Sequence, residues 1–175
     1  FVSNPAAFVL SGPHFFVGNP LSKTPKPICE THKAYDTLDL QTLPSDYLPR
    51  TNYLPACDAS EYARRVPRVN WVDEGQSETR AITCYYRVGL RKRLSLSGER
   101  TLIATIIPRS IAHILTCQTT AFRMQSLVPV VSGLYSSLPY DYLIKSLGQV
   151  DFTAGTTKIM PLPQVDSRLV VRALI

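Results

Sequence analysis

The apolar positions of this chain fall in short runs, and the clearest of them carry the two-residue period of β-structure. Residues 82 to 90 read Ile-Thr-Cys-Tyr-Tyr-Arg-Val-Gly-Leu, with Ile82, Cys84, Tyr86, Val88 and Leu90 alternating with Thr83, Tyr85, Arg87 and Gly89. That alternation predicts a half-buried strand. Thr101 to Ile107 is a continuous β-rich run closed by Pro108, as expected of a strand buried on both faces. With Arg91 to Arg100 between them, the simplest arrangement is an antiparallel hairpin with a basic tip.

The remaining pattern is broken by turns. Ala7 to Leu10 and Phe15 to Val17 read as short strands split by Ser11-Gly12-Pro13, and Pro20, Pro25 and Pro27 force an extended path to Cys29. Thr37 to Leu40 is a further short strand, and Leu43 to Arg50 a loop or single turn. Asp58 to Arg65 predicts a short helix capped by Asp58 or Ser60. Val69 to Val72 reads as a strand carrying the only tryptophan, Trp71, and Asp73 to Glu78 as a polar loop.

Beyond the hairpin, a short helix is expected to open at or after Ser110, and a strand over Phe122 to Leu127. Pro129 suits the first turn of a helix, continued by Val130, Val131, Leu134 and Leu138. Pro139 would break that helix and instead opens a second, with Tyr140, Leu143, Ile144 and Leu147 on its apolar face and Gly148 ending it. Gln149 to Lys158 reads as a polar loop, and Ile159 to Pro163 as a proline-rich exit. The fold class expected is α+β: a mixed, twisted β-sheet with a basic β-hairpin and a few short helices.

Composition narrows this picture. The 175 residues suit one domain, and 45% hydrophobic content with 18% charge can fill a core. Fourteen prolines against eight glycines favour defined turns over flexible linkers. No apolar run reaches the length of a membrane span, and Pro5, Pro13 and His14 interrupt the apolar start, so neither a span nor a signal peptide is expected. The chain opens at Phe1 and stops inside the apolar run Leu169 to Ile175, which reads as a piece of a longer protein. Cys29, Cys57, Cys84 and Cys117 are widely spaced with no Cys-x-x-Cys pair. Buried thiols in a reducing, cytoplasmic setting fit better than two disulfides.

The net charge of +6 is local. Between Arg80 and Arg109 stand seven basic residues and one acid, Glu99, while the other 145 residues balance at twelve against twelve. A two-stranded ribbon with a cationic tip is narrow enough for a DNA major groove, and its lysine and arginine side chains would displace counterions from phosphates. A hairpin whose charges only keep an edge strand soluble is the plainer reading.

The same residues hold only fragments of catalytic patterns. Asn19-Pro20 begins like the Asn-Pro-Pro-Tyr motif of amino-methyltransferases, but Leu21-Ser22 follow. No Asp or Glu precedes a lysine by two residues, and there is no glycine-rich phosphate loop. His14, Cys29, His32 and Cys57 lack the paired spacing of a zinc site. His113 reads as a satisfied core histidine, and Asp141 and Asp151 as capping or surface carboxylates. No catalytic or metal site is expected.

Several segments together resemble the target recognition domain of adenine-specific (N6) DNA methyltransferases of the type IIG restriction–modification and related phage-defence class. They are His14-Phe15-Phe16-Val17-Gly18-Asn19-Pro20 with Thr24-Pro25, then Tyr47-Leu48-Pro49-Arg50-Thr51-Asn52-Tyr53. Tyr86-Arg87 with Gly98-Glu99-Arg100-Thr101-Leu102-Ile103-Ala104-Thr105-Ile106-Ile107-Pro108 forms the central element. Leu134 to Leu143 and the Leu162-Pro163 exit complete it. Gly98 replaces the family's frequent Asn, Pro139 interrupts its helix, and Arg91 to Leu94 is unusually charged.

The resemblance implies one bacterial DNA target recognition domain over residues 1–175, with its core at about 13–163, cut from a larger methyltransferase or restriction chain. Its partners would be double-stranded DNA and the methyltransferase core of the same chain. S-adenosylmethionine, and Mg if a nuclease is fused, would belong to that parent and not to this domain. Arg87, Arg91, Lys92, Arg93 and Arg109 are the expected phosphate clamp, one of them reading a base. Gln149, Thr153, Thr156, Thr157 and Lys158 are second candidates for base edges. Arg100 is set aside as half of a structural pair with Glu99. The alternative is a protein-interaction module docking to a methyltransferase or nuclease partner through Tyr47, Tyr53, Trp71 and Tyr85.

Overall fold

A computed structural model describes residues 8–16, 19–20, 23–31, 33–47 and 49–162. Expectations resting on 1–7, Val17, Gly18, Leu21, Ser22, His32, Leu48 and 163–175 lie outside them.

The chain is α+β, built on a three-stranded antiparallel sheet. Short strands come first: β1 Val9–Leu10, β2 Phe15–Phe16, β3 Asn19–Pro20, β4 Lys23–Pro25 and β5 Tyr35–Thr37. Helix α1, Ala59–Arg65, follows, with Asp58 accepting from the Glu61 N–H as its cap. Then come β6 Arg87–Arg91, β7 Ala104–Ile107, β8 Ala112–His113 and β9 Cys117–Ala121. Three helices close the described chain: α2 Leu127–Tyr135, α3 Leu138–Ser146 and α4 Ala154–Ile159.

The main sheet has the order β7-β6-β9, with Leu90 opposite Ala104 on one side and Gln118 on the other. The expected hairpin is present as β6 and β7. Its first strand starts later than the alternation predicts, because Ile82–Cys84 form a 3-10 turn. Its second strand is an edge, with Ile106 exposed rather than buried.

Both faces of β6 are covered, and this decides the core. Val88, Leu90 and Ala104 pack under α2 and α3 with Val128, Val131, Tyr135, Ile144 and Phe152. On the other side Ile107 and Cys117 meet Phe8, Leu10, Phe15, Ile103 and Ile111. Strand β1 closes this second layer by pairing parallel with β8, Val9 against Ala112.

The proline readings hold. Pro129 lies in the first turn of α2, Pro139 in that of α3, and Gly148 ends α3 with a φ of 62°. Other expectations are corrected. Ser110 opens no helix: it takes a φ of 69° in a turn leading to β8. The strand expected over Phe122 to Leu127 stands earlier, at β9, where Val88 and Leu90 need a second pairing partner. Val69 to Val72 is no strand, and only Arg68 bridges to Ala81. The stretch read as a polar loop contains α4, closed by a reciprocal cap between Thr153 and Thr156.

The four cysteines are free thiols, but only Cys117 is buried, its thiol pushed up to about 12 by burial. Among the described residues no helix is long and apolar enough to cross a membrane.

Candidate nucleic-acid interface

The segment joining β6 to β7 is tied at three places, so it is not a free hairpin tip. The Lys92 N–H donates to the Thr116 carbonyl at 2.9 Å. Leu94 N–H donates to Val150 O at 2.9 Å and Phe152 N–H to Lys92 O at 2.7 Å, while Arg93 bridges Asp151. Leu94, buried in the helical layer, anchors this stretch from below.

The connector then returns through a turn in which Gly98 N–H donates to Ser95 O. It meets α3 at Asp141. One carboxylate oxygen accepts the N–H groups of Thr101 and Leu102, each at 2.7 Å. Arg100 Nε lies 3.6 Å from the same oxygen, and Lys145 Nζ 3.4 Å from the other. Burial pushes the Asp141 carboxyl up, but the hydrogen bonds from Leu102 and Thr101 and the Lys145 ammonium outweigh it and hold it below its ordinary value. Asp141 is therefore neither a cap nor a surface carboxylate; it is the post to which the Gly98-Glu99-Arg100-Thr101-Leu102 motif is fastened. Arg100 pairs with Asp141, whereas the Glu99 backbone carbonyl accepts from Lys145.

Arg91, Lys92 and Arg93 stand together at this end of the sheet. Arg93 is exposed and pairs loosely with Asp151, 3.5 Å away. Arg91 and Lys92 are half-buried and form no ion pair among the described residues. The bridge to Asp151 brings Gln149 and the start of α4 beside the basic run, although more than fifty residues separate them in the chain. Lys158 is exposed in the last turn of α4.

Three groups of expected contact residues are placed elsewhere or already engaged. Arg87 is 1% exposed, with Nη2 donating to the carbonyls of Ile111 and Pro108 and Nε without a partner. As placed it offers no surface to the backbone of a DNA duplex, because the β6 face that alternation marks as polar lies against the 108–113 segment. Burial pushes its guanidinium down to about 10. Arg109 is exposed over the Tyr86 ring, 5.2 Å from its centroid. It lies beyond the opposite end of β6 from Arg91, since Tyr86 is separated from Arg91 by five residues, about 16 Å along the strand direction. Thr156 is buried, and the hydroxyls of Thr153 and Thr157 are spent within α4.

The aromatic patch of the alternative reading is also divided. Tyr85 is buried edge-on against Trp71, and both bond to Asp73, while Tyr53 is exposed. His113 is satisfied by the Ile114 carbonyl and the Thr119 hydroxyl, each at 3.0 Å. His14 donates from Nε2 to Arg50 O at 2.8 Å, with Ser11 at Nδ1. Among the described residues no group of three His, Cys, Asp or Glu could hold a metal ion.

His14, Thr24, Pro25, Arg50 and Thr51 of the N-terminal segments come together. Arg50 N–H donates to Thr24 Oγ1 at 2.8 Å, its Nε to Pro25 O at 2.6 Å, and its Nη2 to Asp36 at 2.9 Å. The Thr51 hydroxyl donates to Val9 O at 2.7 Å. These bonds hold the N-terminal segments to one another and to β1.

No family model matches the chain, and no curated protein and no solved structure matches it either.

Proposed function

We propose that this domain recognises a specific sequence in double-stranded DNA and positions an adenine-N6 methyltransferase, with or without a fused nuclease, on that site. The observation that supports it best is the cluster Arg91-Lys92-Arg93 on a connector held rigid by Lys92–Thr116, Leu94–Val150 and Asp141 contacts. A fixed cationic edge contacts phosphates at a small entropic cost, and Gln149, next to the Val150 that receives Leu94, extends it with a group suited to base edges. In this reading Arg91, Lys92 and Arg93 form the clamp, Arg109 touches the backbone farther along, and Arg87 serves the interior. The methyltransferase core, with its S-adenosylmethionine, acts from outside the domain on a flipped adenine.

The test is binding to a random-sequence duplex across a salt series, with wild type beside the Arg91→Ala/Lys92→Ala/Arg93→Ala variant. Each lost phosphate contact reduces the log–log salt slope by about 1, so the variant should bind every sequence more weakly and lose up to about 3 in slope. An equal slope for the two proteins would remove the cluster from DNA. Salt-tolerant binding to a methyltransferase chain without DNA would favour the interaction-module reading.

A further inference from the structure

Beside Arg87 of β6 lies a cavity of about 350 Å³. It is walled by α1 and its exit (Tyr62, Arg65, Val66, Pro67), the 3-10 turn (Ile82, Thr83), Arg87, β8 and β9. Such a volume falls at the small end of small-molecule sites. Most of the wall is apolar, and no Asp or Glu contributes to it.

Arg87 is the unusual member. It is 1% exposed, forms no ion pair among the described residues, and its Nε donor has no acceptor. The two carbonyls that receive its Nη2 satisfy only part of a five-donor fork. A buried guanidinium without a carboxylate is poorly compensated unless an anion arrives from outside. The other groups around the cavity agree in polarity. Arg65 adds a second cation to the wall, itself paired with Glu61, and Tyr62 lines the same wall. His113 and Thr119 bond to each other and so need nothing from a ligand.

We propose that this cavity binds a small organic oxyanion, its carboxylate or phosphate-monoester head on the Arg87 guanidinium and its apolar body against Val66, Pro67, Ile82 and Ala112. The guanidinium donors not spent on the Pro108 and Ile111 carbonyls suit either head. A free small molecule fits better than a DNA backbone phosphate, because a phosphodiester within a duplex cannot follow the cavity down to a side chain this buried. The ligand site is separate from the basic connector and does not depend on the DNA reading.

The experiment titrates the protein with benzoate, phenyl phosphate and inorganic phosphate, each against chloride of equal ionic strength, by calorimetry and by following the Arg87 Nε–Hε resonance. One organic probe should bind with one-to-one stoichiometry, shift that resonance and weaken at least tenfold in Arg87→Gln. The stronger of benzoate and phenyl phosphate identifies the head. Tyr62→Phe and Thr83→Val, which leave the buried cation in place, should alter affinity by a few-fold and cover the case in which Arg87→Gln does not fold. The Arg91→Ala/Lys92→Ala/Arg93→Ala variant should bind the probe as wild type does. Failure of both organic probes to move the Arg87 resonance would overturn the proposal. So would equal affinity in a folded Arg87→Gln, or binding of inorganic phosphate with no preference for an organic body.

Discussion

Gly89 stands in the middle of β6, where a side chain would have to enter the second core layer. A Cβ built there would lie 2.4 Å from Ile107 Cγ1 and 2.8 Å from Cδ1. Ile107 is 1% exposed and cannot move aside cheaply. Gly89→Ala should therefore destabilise the domain by about 1–3 kcal/mol despite the better strand propensity of alanine. Combining it with Ile107→Ala, which removes both clashing atoms, should cost less than the two changes added together, as urea denaturation of the four proteins would show. Additive losses would mean that the close approach is not what requires glycine. Arg87, two residues earlier on the same face, shows the limit of reading single residues from sequence. Alternation marks it as outward, which holds only if that face meets water. A second layer made from residues 8–15 and 103–117 covers the face instead.

At the scale of elements, the connector between β6 and β7 owes its shape to one carboxylate. Asp141 accepts two backbone N–H groups and faces two cations with its side chain only 5% exposed. Asp141→Asn would keep the size but leave Arg100 and Lys145 without their charge partner and turn one oxygen into a donor. A loss of about 2–4 kcal/mol is expected. Its carboxyl is held below the ordinary value, so the stability it contributes is complete above pH 3.8 and disappears as pH falls through the lower, folded value. The acid limb of a pH–stability curve should accordingly lose amplitude in the variant; an unchanged limb would remove Asp141 from the account. The Gly98-Glu99-Arg100-Thr101-Leu102 segment was legible as a motif, but not its partner, since forty residues separate Thr101 from Asp141. Helix α4 was missed for a different reason. Six residues containing two threonines and a glycine have little helical propensity, and the Thr153-x-x-Thr156 pair was the available signal.

Across the whole molecule, both described histidines are interior groups. Burial holds His14 and His113 below 6.5, against the hydrogen bonds to Arg50 O, Ser11 O and Ile114 O that favour the charged rings. The unfolded chain therefore takes up protons before the folded one does, and stability should fall as pH drops below about 6.5. His14 lies between Phe8 and Tyr35 in the layer that closes over Ile107, and His113 lies on β8, which pairs with β1. Protonation of either strains the same layer. A His14→Gln/His113→Gln variant should show a flatter urea midpoint between pH 5 and about 7 than wild type. A parallel decline in both proteins would place the titrating groups elsewhere.

The local chemistry of the chain determined much by itself. Prolines at 129 and 139 could stand only in first turns, Gly148 suited a left-handed end, Asp58 suited a cap, and two β-rich runs around a basic segment closed into a hairpin. Each follows from short-range sterics and hydrogen bonding, which neighbouring residues suffice to specify. Tertiary structure decided which faces meet water. By adding β9 to one side of β6, helices to one face and residues 8–15 to the other, it turned Arg87 inward, buried Thr156 and set Asp141 under the connector. It also brought Arg91, Lys92 and Arg93 beside Gln149 while leaving Arg109 at the far end. Those outcomes depend on contacts between segments far apart in the chain, where burial and charge pairing outweigh local periodicity.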